Sequence, residues 1–147
     1  MSATPVDAKA QDIAERAAAA LYAGDRASQG LGMRIDSVAP GEATVALTVR
    51  ADMVNGHRVC HGGIIFSLAD SAFAFACNSH GDNTLAAAAS IDFLAPAREG
   101  DVLTARAKEL WRAGRTGLYD IMITNQRGER IAVFRGRSHR IEGRLIP

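Results

Sequence analysis

The segment Ile64–Cys77, IIFSLADSAFAFAC, limits the choice of fold more than any other stretch of the chain. It is apolar on nearly every helical face, and a helix that is hydrophobic all round belongs in an interior. Something else in the chain must cover it, and the remaining sequence reads mostly as strands. Residues 32–50 read as a hairpin turning at Ala39-Pro40-Gly41. In its second arm Ala43, Val45, Leu47 and Val49 alternate with Glu42, Thr44, Thr48 and Arg50, the two-residue period of a half-buried strand. After the apolar segment, Asn78, Ser79, His80 and Gly81 supply helix-stopping residues. Residues 85–95, 101–112, 117–126 and 130–141 then read as four strands, with tight joins at Ala113-Gly114 and Arg127-Gly128. Residues 8–23 read as a surface helix with Ile13, Ala17 and Leu21 on one face and Gly24 as its stop. The order is therefore helix, two strands, one buried helix, four strands. An antiparallel sheet has one face to cover, and the apolar helix is its cover. The pattern predicts an α+β fold in a single domain, 1–147, with an N-terminal helix within 1–25 and the core in 26–147.

A chain of 147 residues suits one such core. Lys+Arg 17 against Asp+Glu 16 gives a net charge of +1, which is no footprint for nucleic acid. No run reaches the ~18 apolar residues of a membrane span. Between Met1 and Asp12 no apolar stretch follows a basic start, so no secretory signal is expected. A cytoplasmic setting follows, with Cys60 and Cys77 as a reduced pair.

Asp70 is the anomaly of the apolar segment. Leu68, Ala69, Ala72 and Phe73 surround it in sequence, and desolvating a carboxylate is costly. Two readings stand. In one, Asp70 is salt-bridged to an arginine or lies on a narrow polar strip with Ser67 and Ser71. In the other it is a carboxylate held in a cleft, acting as nucleophile or general base.

The loop before the helix favours chemistry. His61-Gly62-Gly63 stands where the helix begins. The first-turn N–H groups of a helix lack intrahelical partners and carry the positive end of its dipole. Glycines at Gly62 and Gly63 let a ligand approach that backbone, as an oxyanion hole for a carbonyl requires; the bland reading is a tight turn. Gly62 and Asp70 are separated by roughly 12 Å at ~1.5 Å per residue, too far for one carbonyl to touch both. A two-fold dimer with antiparallel helices brings one chain's Asp70 beside the other chain's Gly62.

The stretch from Asn55 to Ser79, N-G-H-x-x-C-H-G-G-x-x-F-x-L-A-D-x-A-F-A-x-A-C-N-S, resembles the hotdog thioesterases of the PaaI type. The similarity continues in Ser90–Pro96 and in Phe134–Ile141. The resemblance implies a hotdog fold, a curved antiparallel sheet wrapped around one long buried helix. It implies an acyl-CoA thioesterase acting on small acyl groups, with phenylacetyl or hydroxyphenylacetyl favoured, in phenylacetate degradation. Asp70 matches the catalytic acid and Gly62 the residue whose N–H polarises the carbonyl. Asn55 matches an asparagine of the partner subunit that helps place the attacking group, and His61 supports the carbonyl side. Some relatives carry a serine or threonine on the next strand to position water; here the aligned position is Ala86.

Around this centre Gly63 and Phe66 are candidates for the substrate side, with Phe73 and Phe75 read as core. Arg135, Arg137 and Arg140 either meet CoA phosphates or form a solvated strand face. His57, Cys60, His61 and Cys77 fall short of the two separated ligand pairs of a structural zinc site, so no metal is expected. Cys60 beside His61 reads as a small buried residue rather than a nucleophile. The reading needs no cofactor, coenzyme A being part of the substrate, and a homodimer at minimum, with dimers pairing into a tetramer. Two alternatives remain. A hotdog hydratase or dehydratase would want a His–Asp pair on the central helix, where the first histidine is His80 at its end. A non-catalytic acyl-CoA-binding module would have no need of Asp70.

Overall fold

The apolar segment is a helix lying across one sheet. The structure, a computed structural model, describes residues 7–147; Met1 to Val6, the start of the expected N-terminal segment, lie outside the described residues. In chain order the elements are α1 (Ala8–Gly24), α2 (Arg26–Gly30), β1 (Arg34–Ala39), β2 (Glu42–Thr48), α3 (Gly62–Cys77), β3 (Asp82–Phe93), β4 (Val102–Ala113), β5 (Thr116–Thr124) and β6 (Arg130–Arg144). The six strands form one sheet in the order β1-β2-β4-β5-β6-β3, and every neighbouring pair is antiparallel. This is the hotdog arrangement. α3 carries the chain from β2 across the sheet, so β3 pairs with β6 at the far edge while β4 returns beside β2.

Alternation puts Val45, Leu47, Leu103, Ala105, Ile121, Ile123 and Phe134 on the inner face, against Leu68, Ala69, Ala72, Phe73 and Ala76 of α3. The helix approaches the sheet closely at Gly136. A Cβ there would stand 2.7 Å from the Phe73 ring. Phe73 in turn has Tyr119 at 5.5 Å and Phe134 at 6.0 Å between ring centroids. α1 begins at an Asp7 cap that accepts from the Lys9 N–H, and it buries Ala14, Ala17 and Ala18, small residues that let it lie close to its support.

Three features depart from the sequence expectation. α2 and a 3-10 turn at Ala51–Met53 are too short for a period to reveal them. β3 starts at Asp82 rather than 85, because the Asn78 side chain ties the end of α3 to it. Its Nδ2 donates to the Thr84 carbonyl and its Oδ1 accepts from the Thr84 N–H, both at 3.0 Å. Finally, α3 is not covered on every face. Gly63, Ser67, Asp70 and Ala74, spaced four, three and four residues apart, form a strip that the chain's own sheet leaves partly open. The sheet covers one side of the helix, and on the other α1 and α2 reach only part of it, so among the described residues the strip stays partly open.

Candidate active site

Asp70 stands on that open strip, midway along α3, and it is half-buried. It lines a cavity of about 490 Å³ bounded by the end of α1, Asp25 at the start of α2, α3 and the start of β3. Among the described residues neither a cation nor a hydrogen-bond donor is paired with its carboxylate. Burial therefore pushes its pKa above the ordinary aspartate range, and the negative charge of Asp25 adds to the rise. Salt-bridging to an arginine, one form of the bland sequence reading, does not occur among the described residues; the other form, a polar strip, does, since Ser67 and Ser71 stand partly exposed beside Asp70 on α3. An unpaired, partly desolvated carboxylate on a cavity wall is well placed to take up a proton or to attack a carbonyl carbon.

The N-terminus of α3 holds the complementary group. His61 is its cap: the ring Nδ1 accepts from the Gly63 N–H at 2.9 Å. An accepting Nδ1 places the proton of the neutral ring on Nε2. Ile64 and Ile65 donate to the His61 carbonyl at 2.9 and 3.3 Å. Of the first-turn donors, Gly62 alone has its N–H without an acceptor among the described residues. That donor sits at the positive end of the helix dipole. The Phe93 ring lies 3.1 Å from where a Gly62 Cβ would be, so any side chain at this position would press on that ring.

Asn55 organises the loop before the helix. Its Oδ1 accepts from the His57 and Val59 N–H groups at 2.9 and 3.3 Å, which closes a tight turn with Arg58 at φ 62°. The side-chain Nδ2 is left to donate elsewhere. The loop is fastened by His61 N–H to the Met53 carbonyl and Cys60 N–H to the Ala97 carbonyl, at 2.8 and 2.7 Å.

Within one chain these groups fall in two separate places. Asp70, Phe73 and Ala86 line the cavity, whereas Gly62, His61 and Asn55 do not. Ala86, the position that the resemblance aligns with a serine or threonine in some thioesterases, thus stands at Asp70's cavity. Of the three helix phenylalanines it is Phe73 that reaches the cavity; Phe66 packs edge-on against Phe134 at 5.1 Å. Gly63 is exposed on the open strip. Arg135 and Arg137 lie two apart on the outer face of β6, where Arg135 holds Asp120 through two bonds of 2.7 and 3.0 Å.

Competing chemistries fare differently. Burial pushes the Cys60 thiol up to about 11, with Asp101 adding to it, and the Cys77 thiol up to about 12, with Asp70 adding to it. Neither is a thiolate near neutral pH, and both cysteines are free. Among the described residues no three His, Cys, Asp or Glu side chains are grouped to hold a metal ion. His80 pairs with Glu109 at 2.7 Å, away from Asp70's cavity, so no His–Asp pair of the kind a hydratase uses is formed with Asp70 among the described residues. No described helix is long and apolar enough to cross a membrane.

The thioesterase superfamily, by its family model, matches residues 57–132, from the Asn55 loop through α3 to the start of β6. The chain belongs to the thioesterase superfamily. Within it, the chain is of the PaaI type. It is 51% identical over 126 residues to the acyl-coenzyme A thioesterase PaaI of Escherichia coli strain K12, covering 86% of this chain and 90% of that protein. The solved structure of the E. coli PaaI protein from the phenylacetic acid degradation operon matches with a TM-score of 0.90 at 49% identity, covering 91% of this chain and 97% of that one. A mutant of the phenylacetic acid degradation protein PaaI from Thermus thermophilus matches with a TM-score of 0.77 at 38% identity, over 80% of this chain and all of that one. As a hotdog thioesterase, the chain is a thioester hydrolase.

Sequence reasoning did not single out Asp25, the second carboxylate on the wall of Asp70's cavity. A signal was present: Asp25 follows Gly24 and precedes Ser28 by three, the spacing of a helix cap. It announces the start of α2, but nothing local says that α2 faces Asp70.

Proposed function

We propose that this thioesterase hydrolyses small acyl-CoA thioesters, with phenylacetyl and hydroxyphenylacetyl groups favoured, in a cytoplasmic setting and without metal or organic cofactor. The PaaI relatives, one of them from a phenylacetic acid degradation operon, support the substrate class. The observation that carries the mechanism is the separation of an unpaired Asp70 from the free Gly62 N–H along one helix. A thioester carbonyl polarised by Gly62 and attacked through Asp70 requires both groups at one carbon, hence two chains. Asp70 acts as general base on water or as nucleophile, and the helix-end N–H stabilises the oxyanion as charge builds on the carbonyl oxygen. Asn55 Nδ2 helps place the attacking group.

The free surface of a single copy supports a homodimer. β3 is a twelve-residue edge strand whose only charges, Asp82 and Asp92, stand near its ends, and a long edge with an uncharged middle is what native sheets ordinarily avoid. It carries alanine from Ala86 to Ala89, and Leu85, Phe93 and the following Leu94 are 57%, 54% and 53% exposed. A two-fold related β3 continues the sheet, and the second copy covers the open strip of α3. On the outer face Trp111 sits opposite Leu118 across the β4–β5 pair and is half exposed, a surface suited to pairing dimers into a tetramer.

Two measurements test the reading. The first is release of free thiol from a panel of acyl-CoA substrates. The second mixes Asn55→Ala with Asp70→Asn, each nearly inactive alone. About half of the exchanged dimers are mixed, each with one intact site of two, so activity returns toward roughly a quarter of wild type. Confirmed subunit exchange without recovered activity refutes the shared site.

A further inference from the structure

Among the described residues of one copy, the cavity that holds Asp70 carries a second fixed carboxylate and no compensating cation. Its apolar walls include Leu21, Phe73, Leu85 and Leu145. Its polar groups are mostly committed elsewhere: Asn78 is bonded through its amide to Ala74 and Thr84, and the Thr84 hydroxyl donates to the Asp82 carbonyl at 3.2 Å. The Cys77 thiol stays neutral because burial pushes it up to about 12. No arginine, lysine or histidine is among the residues lining the cavity. The charges that face it are Asp25, where α1 gives way to α2, and Asp70, from α3.

Asp25 is held in place. Its Oδ1 accepts from the Ser28 N–H at 2.9 Å and its Oδ2 from the Ser28 hydroxyl at 2.6 Å. Ser28 is buried, and its hydroxyl also meets the Ser71 hydroxyl at 2.7 Å. A carboxylate only accepts, so Ser28 donates to Asp25 and Ser71 therefore donates to Ser28. The directed chain runs from Ser71, next to Asp70 on α3, to Asp25. It fixes the Asp25 charge relative to the helix that carries the reaction.

We propose that Asp25 is a specificity-determining residue: its fixed carboxylate bars acyl groups that carry a negative charge from the Asp70 cavity and leaves uncharged acyl groups as its substrates. The proposal rests on the function proposed above, in which Asp70 is the attacking group, and takes the cavity on whose wall Asp70 stands as the space that receives the acyl group. The physical argument is that like charges brought together where water is partly excluded, with no cation among them, repel strongly. A carboxylated acyl chain would meet two such charges. Asp70 is indispensable to the reaction, whereas Asp25 is the charge that selection among acyl groups can use.

The test compares kcat/KM for phenylacetyl-CoA, 4-carboxyphenylacetyl-CoA and the methyl ester of the latter, whose size is close to the acid's but whose charge is gone. Wild type is expected to favour the ester over the acid by on the order of ten-fold or more. In Asp25→Asn, where asparagine still caps α2, that ratio is expected to shrink several-fold. Asp25→Ser, also a helix cap, provides a second variant should the first fold poorly, and thermal melting identifies which variants are native. An ester-to-acid ratio near one in wild type overturns the proposal, and so does an unchanged ratio in a natively folded variant. If wild type hydrolyses none of the three or any other acyl-CoA, the acyl-CoA reading itself fails and this proposal falls with it. Hydrolysis of the uncharged substrates with an unchanged ratio removes Asp25's role alone.

Discussion

Replacing Asp70 with asparagine should lower activity and raise stability together. The amide is nearly isosteric but can neither take a proton from water nor form an acyl intermediate. General acid–base groups contribute about 10²–10⁴-fold, or about 3–5.5 kcal/mol of barrier at roughly 1.4 kcal/mol per factor of ten. Turnover should fall by that range, while substrate affinity changes little because the cavity keeps its shape. Stability should move the other way, since burial and then Asp25 hold the Asp70 carboxyl above its ordinary pKa. A raised folded-state pKa means that the native state binds the proton more tightly than the unfolded chain. The stabilisation by protonation is full below the unfolded value of ~3.9 and is lost as pH rises through the higher folded value. Asp70→Asn has no such loss. Its melting temperature should therefore match wild type near pH 4 or below and exceed it near neutrality, the gap opening between these limits. Free-thiol release and thermal melts across pH measure both quantities. Turnover within about ten-fold of wild type, or a variant that melts below wild type at neutral pH, would refute the argument. The second result is what a salt-bridged structural aspartate would give.

Two further outcomes are expected. Gly136→Ala places a methyl 2.7 Å from the Phe73 ring and should cost about 1–3 kcal/mol by overpacking, read from urea melts. Combined with Phe73→Leu, which shortens the opposing side chain, the cost should fall short of the sum by about 0.5–3 kcal/mol; simple additivity would contradict that close approach. Hydrolysis should also survive exhaustive chelation, whereas activity lost to a chelator and restored by zinc would bring His57, Cys60 and His61 back as ligands.

Elements with a period and groups with a local anomaly were legible before any packing was known. Alternation in Ala43–Val49 gave β2, the unbroken apolar run gave α3, and a carboxylate inside that run marked Asp70. His61-Gly62-Gly63 at the helix start marked the N–H donor, which the structure leaves without an acceptor among the described residues. Such signals can be read because they depend on neighbours within a few residues. Other features rest on side chains far apart in the chain and came only with the packed molecule. β3 reads as one strand among four, and its pairing with β6 alone makes it an edge. The apolar pattern of α3 predicts burial on every face, yet one sheet can cover only one side, so the strip carrying Asp70 stays open. Asp25 reads as a helix cap, and only the packing of α1 and α2 beside α3 turns it into the second charge of the cavity. Period and capping are written into local sequence, whereas an edge, an opening and a pair of facing carboxylates exist only once distant segments have packed.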